Sequence, residues 1–313
     1  MDQASFGARL AACVGAGRVG CDVPLAPFTT FRVGGPAEWL AHPASSAELL
    51  SALQLAHTEG VTVTLLGGGS NVLIGDRGIR GLVIRPRGGA IEAVSEELVR
   101  ADAAVTLNGL VRWTVGRGLA GLEAWAGTPG TIGGAVCGNA HYAGRLIGDL
   151  VHRAHLAALD GSTAEVSREA MEFAGDRSRL QRTGEVLLSA VFRVVPGAEP
   201  AALRAVARQS LAHRKQTQPL DVASAGCMFQ NPGPDERVPE GMPRSAGALI
   251  DRAGLKGFRL GGALVSTVHA NFIVNPGQAT AADIRALAAL CRQTVADRFG
   301  VQLREEIVYL GDF

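Results

Sequence analysis

Two glycine-rich turns constrain this chain more than any other feature of its sequence. An apolar, β-rich run ends in GGGSN at residues 67–71, and a second turn at residues 127–136 reads GTPGTIGGAV. Because glycine carries no side chain, backbone N–H groups in such turns can approach an anionic or planar ligand closely. One glycine turn is common, whereas two of them, each tied to a strand-like stretch, indicate one long ligand that contains a pyrophosphate. The sequence therefore predicts a bound dinucleotide.

Composition narrows the class of protein. The 313 residues carry a formal net charge of +1, so nothing calls for a nucleic acid or an anionic membrane as partner, and the length suggests two or three domains. The chain has no run of about 20 apolar residues and no basic segment of a signal peptide at its start. Five cysteines without a CxxC pair favour free thiols in a reducing compartment. We expect a cytoplasmic protein.

Hydrophobic periodicity and capping residues predict mixed α and β structure. Helices are predicted at residues 4–14, 45–60, 108–118, 198–216, 245–254 and 281–300. Strands are predicted at residues 29–43 (two strands around a Gly34-Gly35 turn), 61–66, 72–85 (short strands), 104–108, 155–160, 185–195, 263–275 and 301–313.

Two further patterns would mislead if they were read alone. GAGRVG at residues 15–20 matches G-x-G-x-x-G, but a helical segment precedes it and a proline-containing segment follows, so a Rossmann site is not expected there. We expect a flexible loop instead. His152 and His155 lie in a strand-like stretch that would place them on opposite faces, and no metal site is predicted.

Three segments carry side chains suited to chemistry. Cys227 lies among small residues in SAGCMFQNP, and Arg177 and Arg179 precede a strand of buried character. Glu305 and Glu306 occupy the C-terminal tail. If the tail is a strand, the two glutamates point to opposite faces and only one can reach an interior site.

Seven segments in order resemble one family. They include FRVGGPAEWL, AGTPGTIGGAVCGNA, QPLDVASAGCMFQNP and FGVQLREEIVYLG, and the full set spans residues 31–40, 63–84, 126–140, 178–194, 218–232, 248–275 and 299–311. Together they resemble the UDP-N-acetylenolpyruvoylglucosamine reductase (MurB) family over residues 25–313, and the HANFIVN segment with the short tail resembles its type II branch.

The resemblance implies a fold and an activity. It implies an α+β or α/β protein with the two-part FAD-binding fold of the vanillyl-alcohol oxidase (PCMH-type) superfamily and a C-terminal α/β substrate domain. The expected bounds are residues 1–85 and 86–197 for the two FAD-binding subdomains, 198–300 for the substrate domain and 301–313 for a strand that returns to the active site. It also implies a monomer with noncovalent FAD and with NADPH as co-substrate. The product would be the peptidoglycan precursor UDP-N-acetylmuramate, made from UDP-N-acetylglucosamine enolpyruvate.

The chemistry explains the residue types that the resemblance assigns. Hydride from flavin N5 would add to the vinyl carbon, so the protein must stabilise charge at C2 and deliver a proton there. By resemblance, Cys227 is the proton donor where the family usually has serine; a thiol with an ordinary pKa of ~8.5 is mostly protonated at neutral pH. The alternative for Cys227 is a packing role. Glu306 would orient the enol carboxylate, and Glu305 would be a solvated strand residue.

The arginine and two neighbouring segments depart from the family pattern. The family's usual Tyr-Arg-x-Ser is GDRS at residues 175–178, so Arg177 is the predicted catalytic arginine and Arg179 the alternative. A guanidinium there would neutralise the substrate carboxylate as it gains charge. Gln230 stands where lysine is common, and residues 139–144 read NAHYAG.

The resemblance also implies ligand-binding residues. The predicted FAD-binding residues are Gly67, Gly68, Gly69, Ser70, Asn71, Gly127, Thr128, Pro129, Gly130, Thr131, Gly133 and Gly134. The predicted residues for the sugar nucleotide are Arg214, Lys215, Asn231, His269 and Asn271.

Three other functions stay open at this stage. A flavin oxidase of the same superfamily would act on a sugar or alcohol, with His141 the nearest candidate for a covalent flavin link. A thiol-dependent hydrolase would need a histidine base beside Cys227. A nucleotide-binding module without activity would fit the departures at Arg177 and Gln230.

Overall fold

The computed structural model describes the backbone of residues 3–313 and the side chains from residue 5 onward. It divides into two compact units, which are described separately: unit 1 comprises Met1–Val23, Ala37–Gly68 and Arg80–His213, and unit 2 comprises Pro24–Pro36, Gly69–Ile79 and Arg214–Phe313. The domain bounds expected from the family resemblance stay a prediction, and residues 1 and 2 of the first of those domains lie outside the described residues.

The α-helices of the described chain are α1 (Gln3–Val14), α2 (Ser46–Thr58), α3 (Leu107–Gly116), α4 (Ile132–Cys137), α5 (Leu180–Thr183), α6 (Pro200–Thr217), α7 (Ala246–Arg252) and α8 (Ala281–Phe299). Within residues 3–313, no helix has both the length and the apolar character needed to cross a bilayer.

The strands in unit 1 or at its boundaries are β1 (Val19–Pro24), β2 (Pro36–Ala41), β3 (Val63–Leu65), β5 (Ile79–Ile84), β6 (Ile91–Ala93), β7 (Leu98–Asp102), β8 (His141–Tyr142), β9 (Arg145–Leu146), β10 (Val151–Ala157), β11 (Thr163–Ser167) and β12 (Val186–Arg193). Unit 2 contains β4 (Val72–Ile74), β13 (Arg259–Leu260), β14 (Ala263–Val265), β15 (Ile273–Val274) and β16 (Val308–Leu310).

Six predicted helices are confirmed, and local side chains cap the ends of several of them. The Ser45 hydroxyl accepts from the Glu48 N–H at the start of α2, and Ser245 does the same for Ala248 at the start of α7. Thr280 and Asp283 form a reciprocal capping box on α8, and Gly300 ends that helix in the left-handed region, at φ 68°. Such caps can be read from sequence alone.

Several predictions are wrong where tertiary contacts decide the local structure. Residues 29–33 form no strand, and the strand predicted at residues 104–108 is a loop that leads into α3, because the Thr106 side chain caps that helix. Residues 16–18 form a single 3₁₀ turn followed at once by β1, so the expected flexible loop is also wrong. In the tail only Val308–Leu310 is a strand.

Unit 1 contains two larger sheets and the two-stranded β8-β9 sheet. One larger sheet has the strand order β1-β2-β5-β3, and the other has the order β11-β10-β12-β7-β6. In the second sheet β12 lies between β10 and β7 and is antiparallel to both, and every β12 residue except the last is buried. Trp125 and Phe192 are the largest buried side chains of the hydrophobic core beside this sheet. Residues of α3 and α4 belong to the same core.

Unit 2 brings the C-terminal tail back to the strand that follows the first glycine turn. β16 runs parallel to β4, with Val308 opposite Val72, while β13, β14 and β15 form a separate antiparallel sheet. Met228, Phe229 and residues from α7 and α8 form the buried core of this unit. The tail is therefore held beside the segment that contains Cys227.

Asp76 fixes the start of α8. Its carboxylate accepts from the N–H groups of Ala281 (2.8 Å) and Ala282 (2.9 Å), the first two residues of the helix. The Thr280 hydroxyl accepts from the third, Asp283, at 3.0 Å. The first N–H groups of a helix have no partner inside it, so Asp76 and Thr280 together satisfy three of them.

We expect Asp76→Ala to lower the free energy of unfolding by about 1 kcal/mol, the usual effect of losing a helix cap. Urea denaturation would measure this loss. Asp297→Ala is the matched control, because Asp297 is an exposed carboxylate on the same helix and accepts a hydrogen bond from Gln293, and we expect a change within about 0.5 kcal/mol. Equal losses in the two variants would contradict the anchoring role.

Candidate active site

The second glycine turn leads into the short helix α4, which its glycine-rich sequence does not indicate. Thr131 caps α4, its hydroxyl accepting from the Gly134 N–H at 3.3 Å. The N–H groups of Ile132 and Gly133 donate to the carbonyls of Val105 and Ala103. Glycine is a poor helix former, and sequence analysis therefore missed α4. These backbone bonds fix the turn against the loop before α3.

Asn108 clamps the same turn and was not predicted. Its side-chain oxygen accepts from the Gly127 N–H at 2.7 Å, and its amide nitrogen donates to the Thr128 carbonyl at 3.0 Å. It is the second residue of α3, and nothing in its sequence context distinguishes it from an ordinary helical asparagine. The clamp leaves the turn little freedom to deform.

Within unit 1 the two glycine turns lie against each other. A Cβ atom added at Gly68 would lie 2.7 Å from Gly130 Cα, and one added at Gly67 would lie 2.6 Å from Thr131 Oγ1. Both distances are too short for real Cβ atoms, so a side chain at Gly68 would displace the backbone at Gly130, and one at Gly67 would displace the Thr131 side chain. The expectation that both turns serve one ligand gains support from this contact.

The first glycine turn offers a row of hydrogen-bond donors. The N–H groups of residues 67–71 donate to no acceptor within residues 3–313, and the N–H groups of Gly130 and Thr131 are equally unused there. Successive free N–H groups form an anion-binding concavity. These donors and the close glycine packing fit the pyrophosphate of a dinucleotide.

The other predicted cofactor residues offer no free N–H group. The N–H groups of Gly127, Thr128, Gly133 and Gly134 are already bonded within the protein, and Pro129 has none.

Arg177 lies on a tight hairpin of unit 1. The backbones of Ala174 and Arg177 exchange two hydrogen bonds of 3.1 Å. The hairpin is tied to the residues that follow the second glycine turn: Asn139 Nδ2 donates to the Gly175 carbonyl at 2.7 Å, and Asp176 Oδ1 lies 2.8 Å from His141 Nδ1. The two segments that depart from the family pattern thus contact each other.

The side chains of the two candidate arginines differ in their partners. The Arg179 guanidinium forms a two-point ion pair with Glu185, at 2.8 and 3.1 Å, and donates to the Ala170 carbonyl. Arg177 is exposed, and its guanidinium has no hydrogen bond or ion pair within the part of the chain that the structure describes. Arg177 is therefore the arginine that remains available for a ligand.

In unit 2, short backbone pairing holds the segment around Cys227. Glu306 N–H donates to the Met228 carbonyl and Gln230 N–H to the Arg304 carbonyl, both at 2.8 Å. On the other side, Met228 N–H donates to the Asn271 carbonyl at 2.8 Å. Residues 228–230 are therefore fixed between the tail and the loop that contains Asn271.

The Cys227 thiol is protonated over the physiological range. Burial raises its pKa to about 12, with the negative charge of Glu306 adding to the rise. A hydrogen bond from the Asn271 side chain and the charge of Arg214 act in the opposite sense but are smaller. The effect of Glu306 means that its carboxylate lies near the thiol, and no histidine is among the groups that shift this pKa.

The neighbouring glutamates have different environments, but Glu305 is not the solvated residue we expected. The Tyr309 hydroxyl donates to Glu305 Oε1 at 3.0 Å, and Arg292 lies 3.6 Å from the same oxygen. Burial, followed by Glu305, raises the Tyr309 pKa. Since Glu305 is tied to Tyr309 and Arg292, the tail is held with Glu306 near Cys227.

The residues predicted to bind the sugar nucleotide are all in unit 2, with varied exposure. Arg214 is buried and Lys215 is exposed. Asn231 Oδ1 accepts from the Ala246 N–H, the first residue of α7. His269 packs against Gly247 in the same turn of α7, and burial, with a smaller effect from Lys256, lowers its pKa. Asn271 is buried and its side chain bonds to the backbone of Phe229.

Comparison with known proteins identifies the family. Residues 218–310 match the model of the UDP-N-acetylenolpyruvoylglucosamine reductase C-terminal domain, and residues 37–167 match an FAD-binding domain. The UDP-N-acetylenolpyruvoylglucosamine reductase of Parasynechococcus marenigrum (strain WH8102) is 42% identical over 93% of this chain and 95% of its own. The chain belongs to the UDP-N-acetylenolpyruvoylglucosamine reductase family. It is accordingly an FAD-dependent oxidoreductase, as predicted.

Two further relatives agree with this assignment. The reductase of Synechococcus sp. (strain JA-3-3Ab) is 40% identical over 95% of this chain and 93% of its own. The crystal structure of UDP-N-acetylenolpyruvylglucosamine reductase from Thermus caldophilus matches with a TM-score of 0.75 and 31% identity, over 92% of this chain and 97% of that one. The α+β fold with an FAD-binding part is confirmed. The oxidase alternative is not favoured.

We expect the raised pKa to make Cys227 resistant to alkylation. The reactive form is the thiolate, and a thiol whose pKa is about 12 stays protonated as the pH rises from about 7 to about 9. The exposed Cys21 is the internal control. Mass spectrometry after iodoacetamide treatment should find Cys21 modified and Cys227 unmodified, and comparable labelling of the two would contradict the assigned protonation state.

Proposed function

We propose that this chain uses NADPH, through bound FAD, to reduce the enolpyruvyl group of UDP-N-acetylglucosamine enolpyruvate to UDP-N-acetylmuramate. The observation that carries the proposal is a half-buried thiol, kept protonated beside Glu306, in a chain of this reductase family. Such a thiol is suited to donate a proton. Family membership supports the reaction class, and the co-substrate and the roles of single residues are part of the proposal.

The reaction adds a hydride and a proton across the vinyl ether. Reduced FAD, when bound, supplies the hydride to the terminal vinyl carbon. Negative charge then builds on C2 and spreads into the carboxylate, and the Cys227 S–H bond breaks as its proton is transferred to C2. The thiolate that remains takes a proton from water, so the balance is one NADPH and one proton for each substrate reduced.

A high thiol pKa does not prevent donation, because the carbanion at C2 is far more basic than a thiolate. Because of the high pKa, the Cys227 thiol carries its proton at neutral pH. Proton transfer by a positioned group typically contributes about 10²–10⁴-fold to the rate. The serine that the family usually has at this position would be protonated for the same reason.

Arg177 and Glu306 would act on the substrate carboxylate. An unpartnered guanidinium can neutralise the carboxylate as charge spreads into it, which stabilises the transition state. Glu306, which lies near the thiol, would orient the same group as a protonated or hydrogen-bonded acid. Neither role requires either residue to exchange a proton with C2.

The free N–H groups of residues 67–71 would hold the FAD pyrophosphate. The second glycine turn, clamped by Asn108, would line the flavin through Gly130 and Thr131. Arg214, Lys215, Asn231 and His269 would contact the sugar diphosphate. We further propose that the protein works as a cytoplasmic monomer, with no nucleic acid or membrane partner.

The anaerobic half-reactions of the purified flavoprotein test this function. NADPH should bleach the flavin absorbance, and the enolpyruvyl sugar nucleotide should then restore it with formation of UDP-N-acetylmuramate. Bleaching that only oxygen can reverse would reject the proposal in favour of an oxidase. A preparation that takes up no FAD would reject every flavin-dependent function.

Substitutions at Cys227 separate proton donation from packing. We expect Cys227→Ser to keep reoxidation by substrate within about tenfold of the parent, because a serine hydroxyl can also donate. Cys227→Ala should lower that rate by about 10²–10⁴-fold and leave reduction by NADPH unchanged. Stopped-flow absorbance measures both steps. If serine and alanine slow reoxidation equally, Cys227 is not the donor.

A second pair of variants separates the two arginines. We expect Arg177→Gln to slow reoxidation by substrate about 10²-fold, the usual effect of removing a group that stabilises developing charge, with little loss of stability because Arg177 is exposed. Arg179→Gln breaks the Glu185 pair and should lower thermal stability with a smaller effect on rate. The reverse pattern would assign the catalytic role to Arg179.

A further inference from the structure

Asn271 uses both ends of its side-chain amide on a single residue. Its Nδ2 donates to the Phe229 carbonyl at 2.7 Å, and its Oδ1 accepts from the Phe229 N–H at 3.0 Å. The side chain is 3% exposed. It therefore pairs with the backbone two residues after Cys227 as a neighbouring strand would.

The backbone of Asn271 is anchored as well. Its carbonyl accepts from the Met228 N–H at 2.8 Å, and its own N–H donates to His269 Nδ1 at 3.2 Å. His269 in turn packs edge-on against Phe272 and against Gly247 of α7. The asparagine is thus the link between a rigid loop and the Cys227 segment.

These contacts commit one hydrogen of Nδ2 and one lone pair of Oδ1 in the Asn271 amide to the protein itself. One hydrogen of Nδ2 is used by the Phe229 carbonyl, and the other is available to the Cys227 thiol, with which the Asn271 side chain hydrogen-bonds. That bond lowers the thiol pKa, against the larger effect of burial. Its direction means that Asn271 donates to sulfur and stabilises the thiolate that proton transfer would leave.

We propose that Asn271 is a positioning residue that holds the Cys227 thiol in place for proton transfer, and that it does not bind the sugar nucleotide. The proposal rests on the proposed function, since it assigns Cys227 the donor role. It replaces the substrate-binding role that the sequence suggested for Asn271.

A buried amide bonded at both ends is costly to disturb, because each group left without a partner loses its hydrogen bond where no water can replace it. The segment that carries the thiol is therefore held more firmly than an exposed turn would be. A displacement of about 1 Å at a reacting group can slow a reaction about 10²-fold.

Asn271→Asp is the most selective test. The carboxyl group has the shape of the amide but at most one hydrogen, so it cannot donate to both the Phe229 carbonyl and the thiol, whatever its protonation state. We expect reoxidation of the reduced flavin by substrate to slow by at least tenfold, with an enlarged solvent deuterium isotope effect. Reduction by NADPH should change by less than about twofold.

Asn275→Asp is the matched control. Asn275 is also buried, and its Nδ2 donates to the backbone carbonyl of Phe31 at 2.9 Å, but its bonds involve neither Cys227 nor Phe229. We expect both half-reactions of this variant to stay within about threefold of the parent. If the two variants slow reoxidation equally, the effect is a general loss of packing and the proposal is wrong.

A double variant tests whether Asn271 acts through the thiol. In a Cys227→Ala background, adding Asn271→Asp should slow reoxidation no further, because residues that act through one group are not additive. Multiplicative losses would overturn the proposal, and they can be read even if Asn271→Asp is less stable. A parent enzyme that substrate fails to reoxidise would instead refute the proposed function itself.

Discussion

The environment of the Cys227 thiol is the constraint on which the proposed chemistry depends. Backbone hydrogen bonds from the tail and from the Asn271 loop hold residues 228–230 in place, and burial is the largest cause of the high Cys227 pKa. Glu306 comes into range of the thiol through the same pairing, because its N–H is one of the bonds that fix the segment. The fold thus sets the protonation state through backbone geometry.

Glycine imposes a comparable constraint in unit 1. Gly67 and Gly68 contact Thr131 and Gly130 at distances that exclude any side chain, and the first turn keeps its N–H groups free for an anion. In the second turn, most of the N–H groups already donate hydrogen bonds to acceptors within the protein. The two turns therefore differ: the first offers free N–H groups as hydrogen-bond donors, whereas the second is held rigid by hydrogen bonds within the protein. A dinucleotide needs both, since its pyrophosphate is recognised by donors and its flexible ends need rigid surfaces.

Sequence analysis succeeded where information is local. Capped helices such as α2 and α8 and the two glycine turns could be predicted, because short patterns carry them. Cys227 and Glu306 were assigned through the family resemblance, and their roles stay predictions. Asn108 and the His141–Asp176 contact could not be predicted, since each depends on segments that meet only in the folded chain. The environment of Glu305 could not be predicted either, because its partners Tyr309 and Arg292 come close only in the folded chain. Helix α4 was hidden by its glycines, because glycine is a poor helix former.

The pH dependence of flavin reoxidation by the enolpyruvyl substrate tests the central claim most directly. A donor with a pKa of about 12 keeps its proton as the pH rises and loses it only near that value. Under anaerobic stopped flow, the rate should therefore stay constant from about pH 7 to about pH 10. A rate that falls tenfold per pH unit above about pH 8.5, the ordinary pKa of a thiol, and that loses this fall in Cys227→Ser, would contradict the account.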